Sequence, residues 1–164
     1  MSEQSRPKLQ ICYRKSCAEP KPTPINGQLG NSEAKECSLF RKWYSSHAEV
    51  APQLGRIFFI ANEGARNGKF AGILKNKGWR AGFSDYAWLI GPKGRCVFLE
   101  FKVDLNKQSE AQKEFAKLCK EAGADYEVFY SWKEAATFCT IFLFSEYHIS
   151  QDVFEKLLES IRGG

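Results

Sequence analysis

Residues 85–103 read DYAWLIGPKGRCVFLEFKV. Two apolar runs rich in β-formers, Tyr86 to Ile90 and Arg95 to Val103, flank Gly91-Pro92-Lys93-Gly94. Such runs on either side of a short glycine-containing loop predict two antiparallel strands of a hairpin. Side chains two apart on a strand share a face, so Glu100 and Lys102 emerge together, roughly 6.6 Å apart, while Val97, Leu99 and Phe101 line the other side. A solvated surface strand alternates in the same way, and the Glu-Phe-Lys triplet alone decides nothing. The hairpin adds the second fact: pairing Ile90 with Arg95 sets Asp85 opposite Glu100. Two carboxylates and a lysine then converge at one end of the hairpin.

Hard cations such as Mg²⁺ or Mn²⁺ take oxygen ligands, commonly one or two carboxylates completed by water and phosphate oxygens. Asp85 and Glu100 meet that need. A cation there polarises a phosphodiester and acidifies a water, and Lys102 is placed to orient the nucleophile or stabilise developing negative charge. The set suits phosphodiester hydrolysis.

Upstream, Asn31 or Ser32 caps a predicted helix in which Cys37, Phe40, Trp43 and Tyr44 recur at helical spacing, with Glu33 and Glu36 in its first turn and an end near Ser46. Arg56 to Ala61 predicts a short strand, and Asn62 to Phe70 a loop. Gly72 to Lys77 reads as a short helix, and Gly82 supplies a turn before Asp85. Downstream, Ser109 to Ala122 predicts an amphipathic helix with Ala111, Phe115, Leu118 and Cys119 on one face, stopped by Gly123. Tyr126 to Tyr130 predicts a strand. Ser131 caps a helix through about Phe144, and Ser150 caps a last one from Gln151 to Ile161 with Val153, Leu157, Leu158 and Ile161 inward. An antiparallel hairpin combined with helix-linked strands predicts an α/β fold, a mixed sheet with helices on both faces.

The chain has 164 residues, of which 43% are hydrophobic and 26% charged, enough for one globular core. A formal charge of +5 leans towards polyanionic partners. Residues 1–30 are rich in proline and polar groups and read as a flexible arm, 31–146 as the catalytic domain and 147–164 as a helical extension. No apolar run is long enough to span a membrane and no secretory signal is recognisable, so a cytoplasmic protein that is not secreted is expected. Cys12, Cys17, Cys37, Cys96, Cys119 and Cys139 are scattered and expected to be free thiols. His47 and His148 lack partner patterns and read as surface residues.

With these residues in place, the chain resembles the PD-(D/E)XK nucleases, and within them the virus-type replication-repair nuclease (VRR-NUC) domains. The landmarks are Asn62-Glu63-Gly64-Ala65-Arg66, Leu74-Lys75 with Gly78, Ala81-Gly82-Phe83-Ser84-Asp85, Leu99-Glu100-Phe101-Lys102, and Ser109 with Gln112 before Gly123. They fall in order, and the resemblance covers roughly Glu33 to Phe144. The resemblance implies a restriction-endonuclease-like fold, a metal bound at Asp85, Glu100 and Phe101, Lys102 as the signature lysine, and Glu33 and Gln112 beside the site. Ser84 stands where the signature has proline and Ala61 where many relatives have proline, but neither position supplies a ligand. Glu63 reads as a loop residue with a secondary claim to lie near the metal.

Arg66, Lys69, Lys75, Lys77 and Arg80, interleaved with Phe70 and Trp79, form a basic and aromatic segment suited to phosphate contacts and stacking. No base-reading module is recognisable, so recognition of DNA shape is expected. Stand-alone VRR-NUC proteins are similar to Holliday junction resolvases, which implies a Mg²⁺- or Mn²⁺-dependent endonuclease acting on branched or double-stranded DNA as a homodimer. The apolar face of the last helix either forms that interface or completes the core. The rival readings are a flap or general nuclease of the same fold, a DNA-binding protein that does not cut and, more distantly, a protein-interaction module whose basic tail binds an acidic partner.

Overall fold

The computed structural model describes residues 32–60, 82–91, 94–103 and 106–164. Ser32 caps α1 (Glu33–His47), its hydroxyl accepting from the Lys35 amide, with Glu33 and Glu36 in the first turn. Free N–H groups at a helix start favour negative charge there. A 3₁₀ turn entered at Pro52 runs to Arg56. The expected strand 56–61 therefore begins later, as β1 (Ile57–Phe59), and Ala61 lies outside the described residues.

The hairpin strands are β2 (Tyr86–Ile90) and β3 (Arg95–Phe101). They pair antiparallel with Ile90 against Arg95 and Tyr86 against Leu99, the register read from the sequence. β3 stops short of the expected Val103, and the Lys102 amide donates to the Phe129 carbonyl at 2.8 Å. The chain then crosses through α2 (Glu110–Glu121) and returns as β4 (Asp125–Phe129), parallel to β3. A helix is the usual way to join parallel neighbours. The four-stranded sheet keeps chain order, β1-β2-β3-β4.

One sheet face, bearing Tyr86, Trp88, Val97, Leu99 and Phe101, packs against α1, α3 (Trp132–Tyr147) and α4 (Gln151–Gly163). Phe40 of α1 meets Phe101 and Tyr86, each with ring centroids 5.4 Å apart. The Glu36 carboxylate, 3% exposed, accepts from the Trp132 amide at 2.7 Å, tying α1 to the start of α3. α4 adds Leu157 and Ile161 to this same core. The opposite face carries α2, whose Phe115 ring lies 5.0 Å from Phe98 and 5.9 Å from Tyr126. The result is the expected α/β fold, a mixed sheet flanked by helices on both faces.

Two expectations shift. α3 runs past Phe144 to Tyr147 and ends only where His148 takes a left-handed conformation, its amide donating to the Leu143 carbonyl. Leu118 is 47% exposed rather than inward, because Cys119 takes the buried position on α2. Cys37, Cys96, Cys119 and Cys139 are free thiols, and Cys12 and Cys17 lie outside the described residues.

Candidate active site

The observed register continues by one step to bring Asp85, just before β2, opposite Glu100 near the end of β3. The Phe101 amide donates to Asp85 Oδ2 at 2.8 Å, which fixes that carboxylate against the strand end. Lys102 folds back over the same end. Its Nζ lies 2.5 Å from Glu100 Oε1, 3.0 Å from the Phe101 carbonyl oxygen and 3.7 Å from Glu33 Oε1. Gln112 reaches in from the first turn of α2, donating through Nε2 to Glu100 Oε1. The structure thus brings together Asp85, Glu100, Lys102, Glu33 and Gln112.

Local geometry explains how α2 holds Gln112 there. Ser109 and Gln112 form a capping box: Ser109 Oγ accepts from the Gln112 amide at 3.2 Å, and Gln112 Oε1 accepts from the Ser109 amide at 2.9 Å. The oxygen of the Gln112 amide closes the helix cap, and its nitrogen holds Glu100. Gly82 lets the chain pass tightly beneath this turn. Its φ is +96°, and a Cβ there would stand 2.4 Å from the Ala111 carbonyl oxygen. Ser84, where the signature has proline, is fully buried and donates from Oγ to the Tyr86 carbonyl at 2.9 Å, a clamp on the entry to β2.

Glu100 is 1% exposed and Lys102 7% exposed, so the charges interact in a largely dry setting. Burial, joined by the nearby Asp85 charge, pushes the Glu100 carboxyl up to about 7 against the opposing pull of Lys102. Burial alone would lower the Lys102 pKa, but the hydrogen bond and charge of Glu100, with Glu33 and Asp85, raise it. Lys102 therefore stays an ammonium. Cys37, on the α1 side, is driven up to about 12 by burial first and the Asp85 charge second, so it remains an unreactive thiol.

The donor set fits a hard divalent cation. Glu100 Oε2 is buried and makes no hydrogen bond of regular geometry among the described residues, with the Tyr126 hydroxyl beside it, so a carboxylate lone pair is left that a cation would satisfy. No three His, Cys, Asp or Glu side chains gather as a metal cage among the described residues. Two carboxylates completed by water and phosphate oxygens match Mg²⁺ or Mn²⁺ better than an all-protein cage does. The Phe101 side chain is fully buried in the core, so any ligand from that residue is its main-chain carbonyl. Arg66, Lys69, Lys75, Lys77, Arg80 and Glu63 lie outside the described residues.

Sequence reading missed Tyr126 and Gln108. Both carry buried polar atoms without hydrogen-bond partners among the described residues, and the Tyr126 ring lies on the Glu100 face of the sheet. A tyrosine alternating in a strand gives no sign that its hydroxyl points at a site.

The chain is thus a mixed α/β sheet with helices on both faces and with acidic residues and a lysine gathered at one strand end. Among solved structures the chain is similar to one titled "VRR_NUC domain protein", with a TM-score of 0.55 and 17% sequence identity, over 70% of this chain and 90% of that one. The fold implied by the sequence resemblance is therefore the fold the chain has. No protein-family profile matches the chain, and no curated protein does.

Proposed function

We propose that this protein is a Mg²⁺- or Mn²⁺-dependent DNA endonuclease whose active site is Asp85, Glu100 and Lys102, with Glu33 and Gln112 positioning the set. One observation supports it above all: Asp85, Lys102 and Gln112 converge on a buried Glu100 whose Oε2 makes no regular hydrogen bond among the described residues, within a fold similar to that of a VRR-NUC domain protein. A bound divalent cation supplies positive charge to the phosphate and acidifies water. The chain's own residues do the rest. Asp85 and Glu100 present oxygens on one side of the strand end, and the Phe101 amide stops Asp85 from turning away. Gln112 and Lys102 both hold Glu100 Oε1, which leaves Oε2 for the cation. Lys102, kept charged, faces the negative charge that builds on the phosphate during hydrolysis.

Selectivity for Holliday junctions or other branched DNA, and action as a homodimer, rest on the resemblance to VRR-NUC proteins; the basic segment from Arg66 to Arg80 would bind the backbone. The test compares four-way junction, flap and linear duplex DNA in Mg²⁺, Mn²⁺ and EDTA, alongside sizing of the protein with and without junction. Preferred cutting of branched DNA by a dimer is expected. Equal cutting of linear duplex removes the branched-DNA reading, and a monomer on junction DNA removes the paired one.

A further inference from the structure

Beside Glu100, three buried polar atoms make no hydrogen bond of regular geometry among the described residues: Glu100 Oε2, Tyr126 Oη and Gln108 Nε2. Three such atoms in one place are unusual, since buried polar groups are ordinarily paired. Their placement follows from the fold. Tyr126 of β4 stands opposite Phe98, and Val128 opposite Glu100, so Tyr126 is the diagonal neighbour of Glu100 on the same sheet face. Phe115 of α2 holds the tyrosine ring edge-on at 5.9 Å. Gln108 immediately precedes Ser109, the N-cap of the helix whose Gln112 already grips Glu100. The Tyr126 hydroxyl lies beside both Gln108 and the Glu100 carboxylate, close enough for Glu100 to raise its pKa in addition to burial.

We propose that Tyr126 and Gln108 are positioning residues that fix Glu100 for the divalent cation, the Tyr126 hydroxyl donating to Glu100 Oε2 and the Gln108 amide supporting that hydroxyl. The inference deepens the nuclease reading and rests on it. A carboxylate oxygen has room for two partners, so Oε2 accepts from Tyr126 on one side and meets the cation on the other. Oε1 is already occupied by Lys102 and Gln112. With the Tyr126 donor in place the carboxylate is held at both oxygens, and its orientation no longer depends on the metal. Hydrogen bonds to ligating carboxylates tune metal affinity, and their loss commonly weakens binding about 10- to 100-fold.

The experiment titrates Mn²⁺ into the full chain by electron paramagnetic resonance, for wild type, Tyr126→Phe, Gln108→Ala and, as a distant control, Tyr147→Phe. Tyr126→Phe keeps the ring against Phe115 and removes only the hydroxyl, so its thermal unfolding in EDTA should match wild type. Mn²⁺ binding is expected to weaken about tenfold in Tyr126→Phe, and by less in Gln108→Ala, with binding of duplex DNA in EDTA unchanged. Tyr147→Phe should bind Mn²⁺ as wild type does. Wild-type binding of Mn²⁺ with undiminished affinity in Tyr126→Phe overturns this inference and leaves the nuclease reading standing. Absence of Mn²⁺ binding in wild type sinks both.

Discussion

Glu100 is where residue-scale physics concentrates, because one buried carboxylate meets a lysine, a glutamine and a second carboxylate. Its pKa is raised from 4.5 to about 7, so the folded protein keeps a proton that the unfolded chain releases. Linkage then fixes the sign. The stabilisation is fully present below pH 4.5, declines as pH rises through the interval, and is gone above about 7. In EDTA, wild type should therefore lose thermal stability relative to Glu100→Gln as pH rises from 4.5 to about 7. A difference in Tm between the two proteins that stays flat over that range contradicts the buried, Asp85-coupled carboxylate. The alternation of Val97, Leu99 and Phe101 with Glu100 and Lys102 was legible in the sequence. The burial of Lys102 was not, since a lysine at a strand end reads as solvated until the helices above it are known.

At the scale of elements, the hairpin and its register were readable because the turn residues and the alternating faces admit few pairings. The helix from Ser109 was readable from its apolar spacing as well, and its capping box with Gln112 is seen in the structure. What local pattern could not show is that the first turn of α2 sits over the end of β3, which gives Gln112 its second partner; that placement came only through resemblance to known nucleases. Leu118 turned outward for a related reason, since periodicity finds an apolar face but packing decides which of the adjacent Leu118 and Cys119 is buried. Gly82 is the hinge of this arrangement. Gly82→Ala must accept a positive φ and push against the Ala111 backbone, a combination that costs at least about 1–3 kcal/mol. Denaturant unfolding should show that loss, accompanied by weaker Mn²⁺ binding as α2 and Gln112 move off Glu100. An unchanged midpoint would mean that the chain does not pass beneath α2 as described.

Across the whole molecule, the sheet is a support with two different faces. One is a continuous aromatic and aliphatic core under α1, α3 and α4, and the other, among the described residues, carries α2 beside the charged strand end. α4 belongs to that core through Leu157 and Ile161, so a protein shortened before Gln151 exposes apolar surface from α1 and α3. The fold class followed from element order alone. The basic segment proposed to hold DNA lies outside the described residues, and the site itself is the part of the account open to direct trial. The most direct trial is single-turnover cleavage of a four-way DNA junction by wild type, Asp85→Ala and Lys102→Ala, in Mg²⁺ and in EDTA, with each variant shown to fold by circular dichroism. Cleavage by wild type in Mg²⁺, its disappearance in EDTA and a loss of at least about 100-fold in each variant are predicted. Cutting that persists in EDTA or in folded Asp85→Ala, or no cutting of any DNA by wild type, contradicts the account.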